Sequence, residues 1–465
     1  MNRGIFTLAA LLFAGSTLAD EPLDLQAAIN MALAHNRDLA QTARSMRGAN
    51  LSLASARAEF GFGLKPDGGI ERTEDEDRYR YGLALTKKFI AGTEVLAGPQ
   101  VEWADAGDGT DRRTRWRVDL RQPLFRNFGP LVHGESVIQA QQRVKSARRD
   151  YERRKTDLLL QVVDLFETLI RLDRQIAAEE ASLQRLDKLL RLTRARERQG
   201  RATRVDALRV ELRHGEARSR LEENRERLSS QRRDFAELLG QPPDRVFALE
   251  PPPLLELTLP TQEEAARLAL ENRLDYAQAL QDYADTLRGE RIAQRGLLPA
   301  LSLLARYESV DSDSDGAATS DEDTWFVGLS GDTDLNQARE RAALGQARLT
   351  RESARESIRI RELSIIREVQ QQTSAYRRAR QEMSIAARNH QLALQRARLA
   401  RRLYELGRGD NFTVTDAEEA LTDSEDRRLQ ARAEASLAGY RFLNTVGTLL
   451  EVPPELRADL REVPP

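Results

Sequence analysis

The chain runs through one arrangement twice. Ala32-Leu33-Ala34-His35-Asn36-Arg37-Asp38-Leu39-Ala40 returns as Ala269-Leu270-Glu271-Asn272-Arg273-Leu274-Asp275-Tyr276-Ala277. Trp116-Arg117-Val118-Asp119-Leu120 returns as Trp325-Phe326-Val327-Gly328-Leu329. Gly200-Arg201, followed by Val205 and Glu211, returns as Gly407-Arg408, followed by Phe412 and Glu418. Three matches in the same order mark a duplicated architecture. Their offsets are 237, 209 and 207, so the first copy carries about 28 extra residues, all between its opening helix and its Trp-containing strand. The copies are expected at 20–250 and 251–465, with the linker marked by Gly240-Gln241-Pro242-Pro243 and Pro251-Pro252-Pro253.

Each copy reads as helix, strands, very long helix, glycine turn, helix. In the first, helical spacing over 25–58 gives way to alternation within 60–125. There Tyr79, Tyr81, Leu83 and Leu85 share one face, as do Val95, Ala97, Val101 and Trp103. A weaker strand is expected at Phe60 to Glu71. Over 132–199 the period changes: Leu158, Val162, Leu165, Leu169, Leu172 and Ile176 step by four and three, and Leu183, Leu186 and Leu190 continue the series. A sustained 3.5 repeat is a coiled-coil seam, and at 1.5 Å per residue the helix is about 100 Å long. Gly200 predicts its stop, and a helix over 204–239 follows. The second copy predicts a helix over 261–297, opened by the capping-box residues Thr261-Gln262-Glu263-Glu264. Strands within 301–330, a long helix over 336–406, a helix over 412–447 and a tail over 451–465 complete it. The second seam is built from smaller residues, among them Val369, Tyr376, Ala379, Met383, Ala386, Ala393 and Ala397.

Composition agrees with narrow seams. Charged residues make up 31% of the chain and aromatics 5%, which fills no set of wide cores. No apolar run approaches the roughly 20 residues of a membrane-spanning helix. The net charge is −2, with both signs interspersed, so nothing argues for nucleic acid although all but six of the 72 basic residues are Arg. With no cysteine, disulfides, thiolate metal sites and thiol catalysis are excluded. Asn2-Arg3, an apolar stretch from Gly4 to Ala14, and small residues at Thr17 and Ala19 predict an export signal over 1–19.

A helix of this length with a narrow apolar seam needs neighbours along its course. The strands are too few to close a barrel in one chain, and open sheet edges are not tolerated in lipid. Symmetric copies meet both demands: strands pool into one barrel, and helices into one cylinder with water on both sides. The alternative is an exported periplasmic coiled-coil structural or binding protein, decorated with β-hairpins and without channel activity.

The two copies of the Ala32–Ala40 pattern resemble the outer membrane efflux protein family, the TolC-like export ducts of Gram-negative bacteria. So do Gln122-Pro123-Leu124-Phe125, ending a strand before the long helix, and Tyr404-Glu405-Leu406-Gly407 leading into Val414-Thr415-Asp416-Ala417. The resemblance covers essentially the whole chain beyond the export signal. It implies a mainly α fold with transmembrane β structure: a homotrimeric β-barrel in outer membrane lipid, joined to a long periplasmic α-helical barrel. The partners it implies are a periplasmic adaptor (membrane fusion) protein and an inner-membrane transporter; no cofactor and no enzymatic activity are expected. The family pattern is two strands per copy, hence twelve per trimer, whereas the first copy here has room for four.

The same resemblance implies site residues. Gly200, Arg201, Gly407 and Arg408 would form adaptor-contacting tips. Asp416 falls on an aperture-lining position, with Thr413 at the second such position. Tyr404 matches a tyrosine of the closing network and Asp206 its acidic partner. Gly409 stands where relatives carry an arginine, although Arg408 and Asp410 adjoin it. As ordinary helix residues, Asp416 and Asp206 would instead serve the dipole of a first turn. Separately, Asp311-Ser312-Asp313-Ser314-Asp315-Gly316 followed by Glu322 satisfies a calcium-loop spacing, with strands where flanking helices would be needed. Histidines 35, 133, 214 and 390 form no spaced ligand set.

Overall fold

In a computed structural model, residues 22–73, 77–105, 110–314 and 320–458 are described. The expected export signal at 1–19, Asp315 of the calcium-loop pattern and the last residues of the expected tail lie outside them. The chain opens with α1 (Leu25–His35) and α2 (Arg37–Ala58), then β1 (Phe62–Arg72), β2 (Asp77–Lys88), β3 (Glu94–Asp105) and β4 (Thr110–Pro123). A short turn, α3 (Pro130–His133), leads into α4 (Glu135–Arg198) and α5 (Arg204–Leu238). The second copy follows with α6 (Gln262–Asn272), α7 (Leu274–Gly296), β5 (Ala300–Ser314), β6 (Ser320–Asp332), α8 (Ala338–Glu405) and α9 (Asn411–Val446).

Where the sequence predicts single opening helices over 25–58 and 261–297, each copy has two. One residue leaves the helical backbone at the break: Asn36 at φ −63°, ψ 130° and Arg273 at φ −73°, ψ 122°. The N–H of each still donates four residues back, to Ala32 at 2.8 Å and Ala269 at 2.9 Å. The repeated Ala32–Ala40 pattern is therefore an elbow. The long helices and the helices that return from them end in matched turns as well. Gly200, Gly240, Gly407 and Gly447 have φ between 69° and 76°, and the next N–H reaches back five residues, as in Arg201→Arg196 at 2.8 Å and Arg408→Leu403 at 2.9 Å. Glycine takes this left-handed conformation without steric cost, which ends each helix and satisfies its last carbonyls. Gly240 lies against the carbonyl of His35, and Gly447 against Asn272, so in each copy a terminal glycine abuts the elbow.

Contacts divide the chain into two compact units that cut across the repeats. The first takes residues up to Arg37, Lys155–Leu259 and Gln372–Phe442. Its seam is apolar: Leu158, Val162, Val163, Phe166, Leu169 and Leu172 are buried, and Phe166, Phe235 and Phe247 stack edge to face at 6.0 Å. The second unit takes Asp38–Arg154, Pro260–Gln371 and residues from Leu443. In it the buried Arg149 guanidinium donates to Gln281 at 2.6 Å, Gln278 at 3.1 Å and the Leu456 carbonyl at 3.3 Å.

The second unit also holds the sheet, one antiparallel meander in the order β1-β2-β3-β4-β5-β6. That order puts Arg72 and Asp77, Asp105 and Thr110, and Ser312 and Ser320 at one end of the sheet. At the other is the short Phe89–Thr93 turn, closed by the Phe89 N–H on the Thr93 carbonyl at 2.8 Å. Register decides the faces. Leu64, Leu85, Ala97, Val118, Tyr307 and Trp325 are successive Cα partners across all six strands. One residue along, the row is Gly63, Thr86, Leu96, Asp119, Arg306 and Phe326, with Arg306 paired to Asp119 at 2.6 Å. The first face continues through Phe62, Ile70, Tyr81, Leu83, Trp116, Val327 and Leu329, all exposed. The second carries Lys65, Arg78, Arg80, Glu102, Arg115 and Glu308 and lines a hollow of about 900 Å³ that includes Lys65, Lys88, Glu94, Arg121 and Arg306. The sheet is concave towards its charged face. Among the described residues no helix is long and apolar enough to cross a membrane.

Candidate aperture at the paired helix turns

The two glycine turns bring four helices together in the first unit. Leu189 and Leu190 of α4, Val210 of α5, Ala397, Ala400 and Tyr404 of α8, and Val414, Ala417 and Leu421 of α9 form one buried cluster. Small residues on α8 let the helices approach closely, and the larger residues of α4 and α9 fill the space between them.

Polar groups around this cluster are tied across the helices. The Tyr404 ring is buried, and its hydroxyl lies 3.1 Å from the Thr193 hydroxyl. Arg196 stacks on the ring at 4.1 Å and donates to the Tyr404 carbonyl at 2.9 Å. Asn411 donates to the Asp206 carbonyl at 3.0 Å. The buried Glu418 carboxylate takes Arg185 and Arg401, each at 2.8 Å. Each turn has the same internal ion pair: Arg194–Glu211 at 2.9 Å in the first copy and Arg401–Glu418 in the second. The first is half exposed and contributes little; in the second the carboxylate is buried, and only the loss of both Arg185 and Arg401 would leave that charge unpaired.

The expected residues divide. The Tyr404 hydroxyl meets Thr193, while the Asp206 carboxylate accepts from the Thr203 N–H at 3.0 Å and the Thr203 hydroxyl at 2.7 Å, closing a capping box on α5. Those hydrogen bonds hold Asp206 below the usual carboxylate range. In the second copy the same positions are exchanged: Asp410 accepts from the Thr413 N–H at 2.6 Å and is lowered by its hydrogen bonds to Thr413. Both acids are charged at neutral pH and both serve a helix start. Asp416 is half exposed, and its carboxylate is ion-paired with Arg396 of α8. Arg201 and Arg408 follow the two turn glycines and supply the N–H groups that close them.

Among the described residues of the calcium-loop pattern, Glu322 is not brought to Asp311 and Asp313. Asp311 and Asp313 are strand residues of β5, and Asp311 pairs with Asp321, whereas Glu322 pairs with Val310 on the opposite face. Strand alternation points Glu322 away from the two aspartates, and among the described residues no group of three acidic or histidine side chains could hold a metal ion.

Thr193, Arg185, Arg194, Arg196 and Arg396 are not among the residues the sequence singles out. For Arg194 and Arg401 a signal exists: the offset of 207 that joins Glu211 to Glu418 also joins these two arginines.

The family model described as "Outer membrane efflux protein" matches residues 265–442. The outer membrane efflux protein BepC of Brucella suis biovar 1 (strain 1330) is 25% identical over 390 residues, covering 80% of this chain and 81% of that one. Among solved structures, the outer membrane protein VceC of Vibrio cholerae superposes with a TM-score of 0.71 at 18% identity, covering 91% of this chain and 96% of that one. The CmeC outer membrane channel of Campylobacter jejuni gives 0.69 at 13% identity, covering 92% and 86%. The chain has the fold of these two solved structures.

Proposed function

We infer that the chain is an outer membrane efflux protein of a Gram-negative bacterium, the passive exit duct of a tripartite efflux or type I secretion system. The observation that carries this reading is the sheet: six strands in one register, one face apolar and exposed, the other charged and concave. The apolar face suits outer membrane lipid and the charged face a water-filled lumen. Paired heptad helices leading from the strands suit a periplasmic conduit. The oligomer is a homotrimer, which supplies both the missing strands and the neighbours of the long helices. A periplasmic adaptor docks at the turns around Gly200, Arg201, Gly407 and Arg408, and an inner-membrane transporter supplies the energy. A passive duct needs no catalytic residues, and the solved structures that the chain resembles include outer membrane channels, which supports a role without chemistry.

The aperture is governed by Asp416, Asp410, Thr413, Tyr404 and Asp206. Carboxylates gathered near a three-fold axis attract cations, and Arg396 partly neutralises Asp416 from the same chain. The test is single-channel recording in planar bilayers. Parent trimers are expected to conduct and to be blocked by multivalent cations. Asp416→Ala is expected to weaken that block several-fold, and Arg396→Ala to strengthen it. Trimers that conduct with block unchanged in both variants would remove this pair from the aperture; purified protein without conductance would remove the duct.

A further inference from the structure

The first copy's extra residues amount to one hairpin: β1 and β2 with their turn span 62–88, close to the 28 residues by which the repeats differ. A hairpin added as a decoration has no reason to keep the parity of the wall beside it. This one keeps it. Its apolar residues Phe62, Leu64 and Ile70 on β1, and Tyr79, Tyr81, Leu83 and Leu85 on β2, continue the face set by Ala97, Val118, Tyr307 and Trp325. Of its charged residues, Lys65, Asp67, Arg78 and Arg80 fall on the other face, while Arg72, Asp77 and Lys87 share the apolar face at the strand ends. A one-residue slip would have reversed both. The edge of β3 that would otherwise meet a neighbouring copy is already hydrogen-bonded to β2 from Glu94 to Asp105. The edges left open are β1 and β6, each lined on the apolar face by exposed side chains, Phe62, Leu64 and Ile70 on one and Trp325, Val327 and Leu329 on the other. In lipid such edges must pair. With an even number of strands per copy, β6 of one copy runs antiparallel to β1 of the next.

We propose that three copies close a single barrel of eighteen strands by pairing β6 of each copy with β1 of its neighbour, in place of the twelve-stranded wall that the family resemblance implies. The proposal rests on the trimeric outer membrane reading above and adds the identity of the interface and the width of the pore. At a strand spacing of about 4.8 Å and a tilt of about 40°, eighteen strands give a backbone radius of about 18 Å, against about 12 Å for twelve. The barrel section then has roughly twice the cross-sectional area of a twelve-stranded one.

The chain has no cysteine, so the interface can be read by disulfide trapping. Laterally paired β residues have Cβ atoms about 4.5–5.5 Å apart, close enough for a disulfide with small adjustments. Leu64→Cys is combined in turn with Trp325→Cys, Val327→Cys and Leu329→Cys, which together sample the unknown register. Ala97→Cys on β3 is combined with the same three. The oligomer is first measured by light scattering in detergent, then oxidised and run without reductant. The expected result is a ladder of covalent dimer and trimer from at least one Leu64→Cys combination and none from the Ala97→Cys set. A ladder from Ala97→Cys, or a trimer giving no ladder from any combination, overturns the eighteen-stranded barrel while leaving the duct standing. A parent protein that forms no trimer overturns the duct and this interface together.

Discussion

Gly200 and Gly240 share a left-handed backbone, at φ 71° and 69°, yet a methyl group meets different surroundings at each. Around Gly200 the space within 4 Å is open, whereas a Cβ at Gly240 would overlap the His35 carbonyl oxygen and lie 2.7 Å from its carbon. Gly200→Ala therefore carries the backbone penalty alone, about 1 kcal/mol. Gly240→Ala must also displace the α1–α2 elbow, for a total of about 2–4 kcal/mol. Thermal unfolding followed by far-ultraviolet circular dichroism should rank Gly240→Ala well below Gly200→Ala; equal midpoints would mean that the elbow is free to move. A second residue-scale effect lies along α9. The Asp426 carboxyl is pushed up to about 6, first by burial and then by Glu179 and Asp423. Between about pH 4 and pH 6 the folded protein retains a proton that the unfolded chain releases, so this group lowers stability as pH rises through that window. Asp426→Asn removes the effect. It is expected to raise stability at pH 7.5 by on the order of 1 kcal/mol, after discounting for partial solvent screening, and to change nothing near pH 4. A gain of the same size at both pH values would assign the benefit to packing instead.

At the scale of the element, helices of this chain have apolar residues with nothing over them. Ile385, Leu392 and Leu399 of α8 and Leu406 just past its end recur every seven residues and are 42–61% exposed. Val205, Leu208 and Leu212 of α5 are likewise exposed. Burying one such side chain is worth about 1.5–3 kcal/mol, so a seam of them is an association surface. Replacing Leu392 and Leu399 together by Glu is expected to shift the purified protein from trimer to monomer by at least tenfold in apparent dissociation constant, read by light scattering. An unchanged trimer would place the subunit contact on another face. This two-level use of the heptad shows what was legible. The spacing of Leu158, Val162, Leu165 and Leu169 announced α4, and the alternation of Tyr79, Tyr81, Leu83 and Leu85 announced β2, because periodicity reports which side of an element is buried. It does not report a single residue leaving the helix: the breaks at Asn36 and Arg273 leave the apolar spacing intact and were invisible. Nor does it report partners distant in sequence. The Tyr404 hydroxyl meets Thr193, which lies on another helix with no local pattern to mark it. For the calcium spacing the converse holds: strand pairing extends into the acidic stretch, and the alternation of a strand puts Glu322 on the face opposite Asp311 and Asp313.

For the whole molecule, the question is which face of the sheet meets lipid, because that decides whether the chain completes a wall or remains a soluble helical body. Val327 and Ser330 stand three residues apart on β6 and point to opposite sides, one partnered by Ala305 and the other by Ser302. An arginine costs about 2–4 kcal/mol at the lipid face of a barrel near the membrane midplane and little on the lumen side. Three-fold symmetry applies that cost once per copy, so even the lower bound amounts to several kcal/mol per assembled barrel. Val327→Arg is therefore expected to cut the yield of heat-resistant trimer in outer membrane extracts by more than tenfold, with Ser330→Arg close to the parent. The two substitutions add the same charge to the same strand and differ in side alone. Equal losses would say that both faces are wet or both are packed, and the sheet would then belong to a periplasmic coiled-coil body. Loss confined to Val327→Arg would tie the parity read across all six strands to the membrane itself, since a hydrocarbon environment distinguishes two residues that are both exposed in the isolated chain.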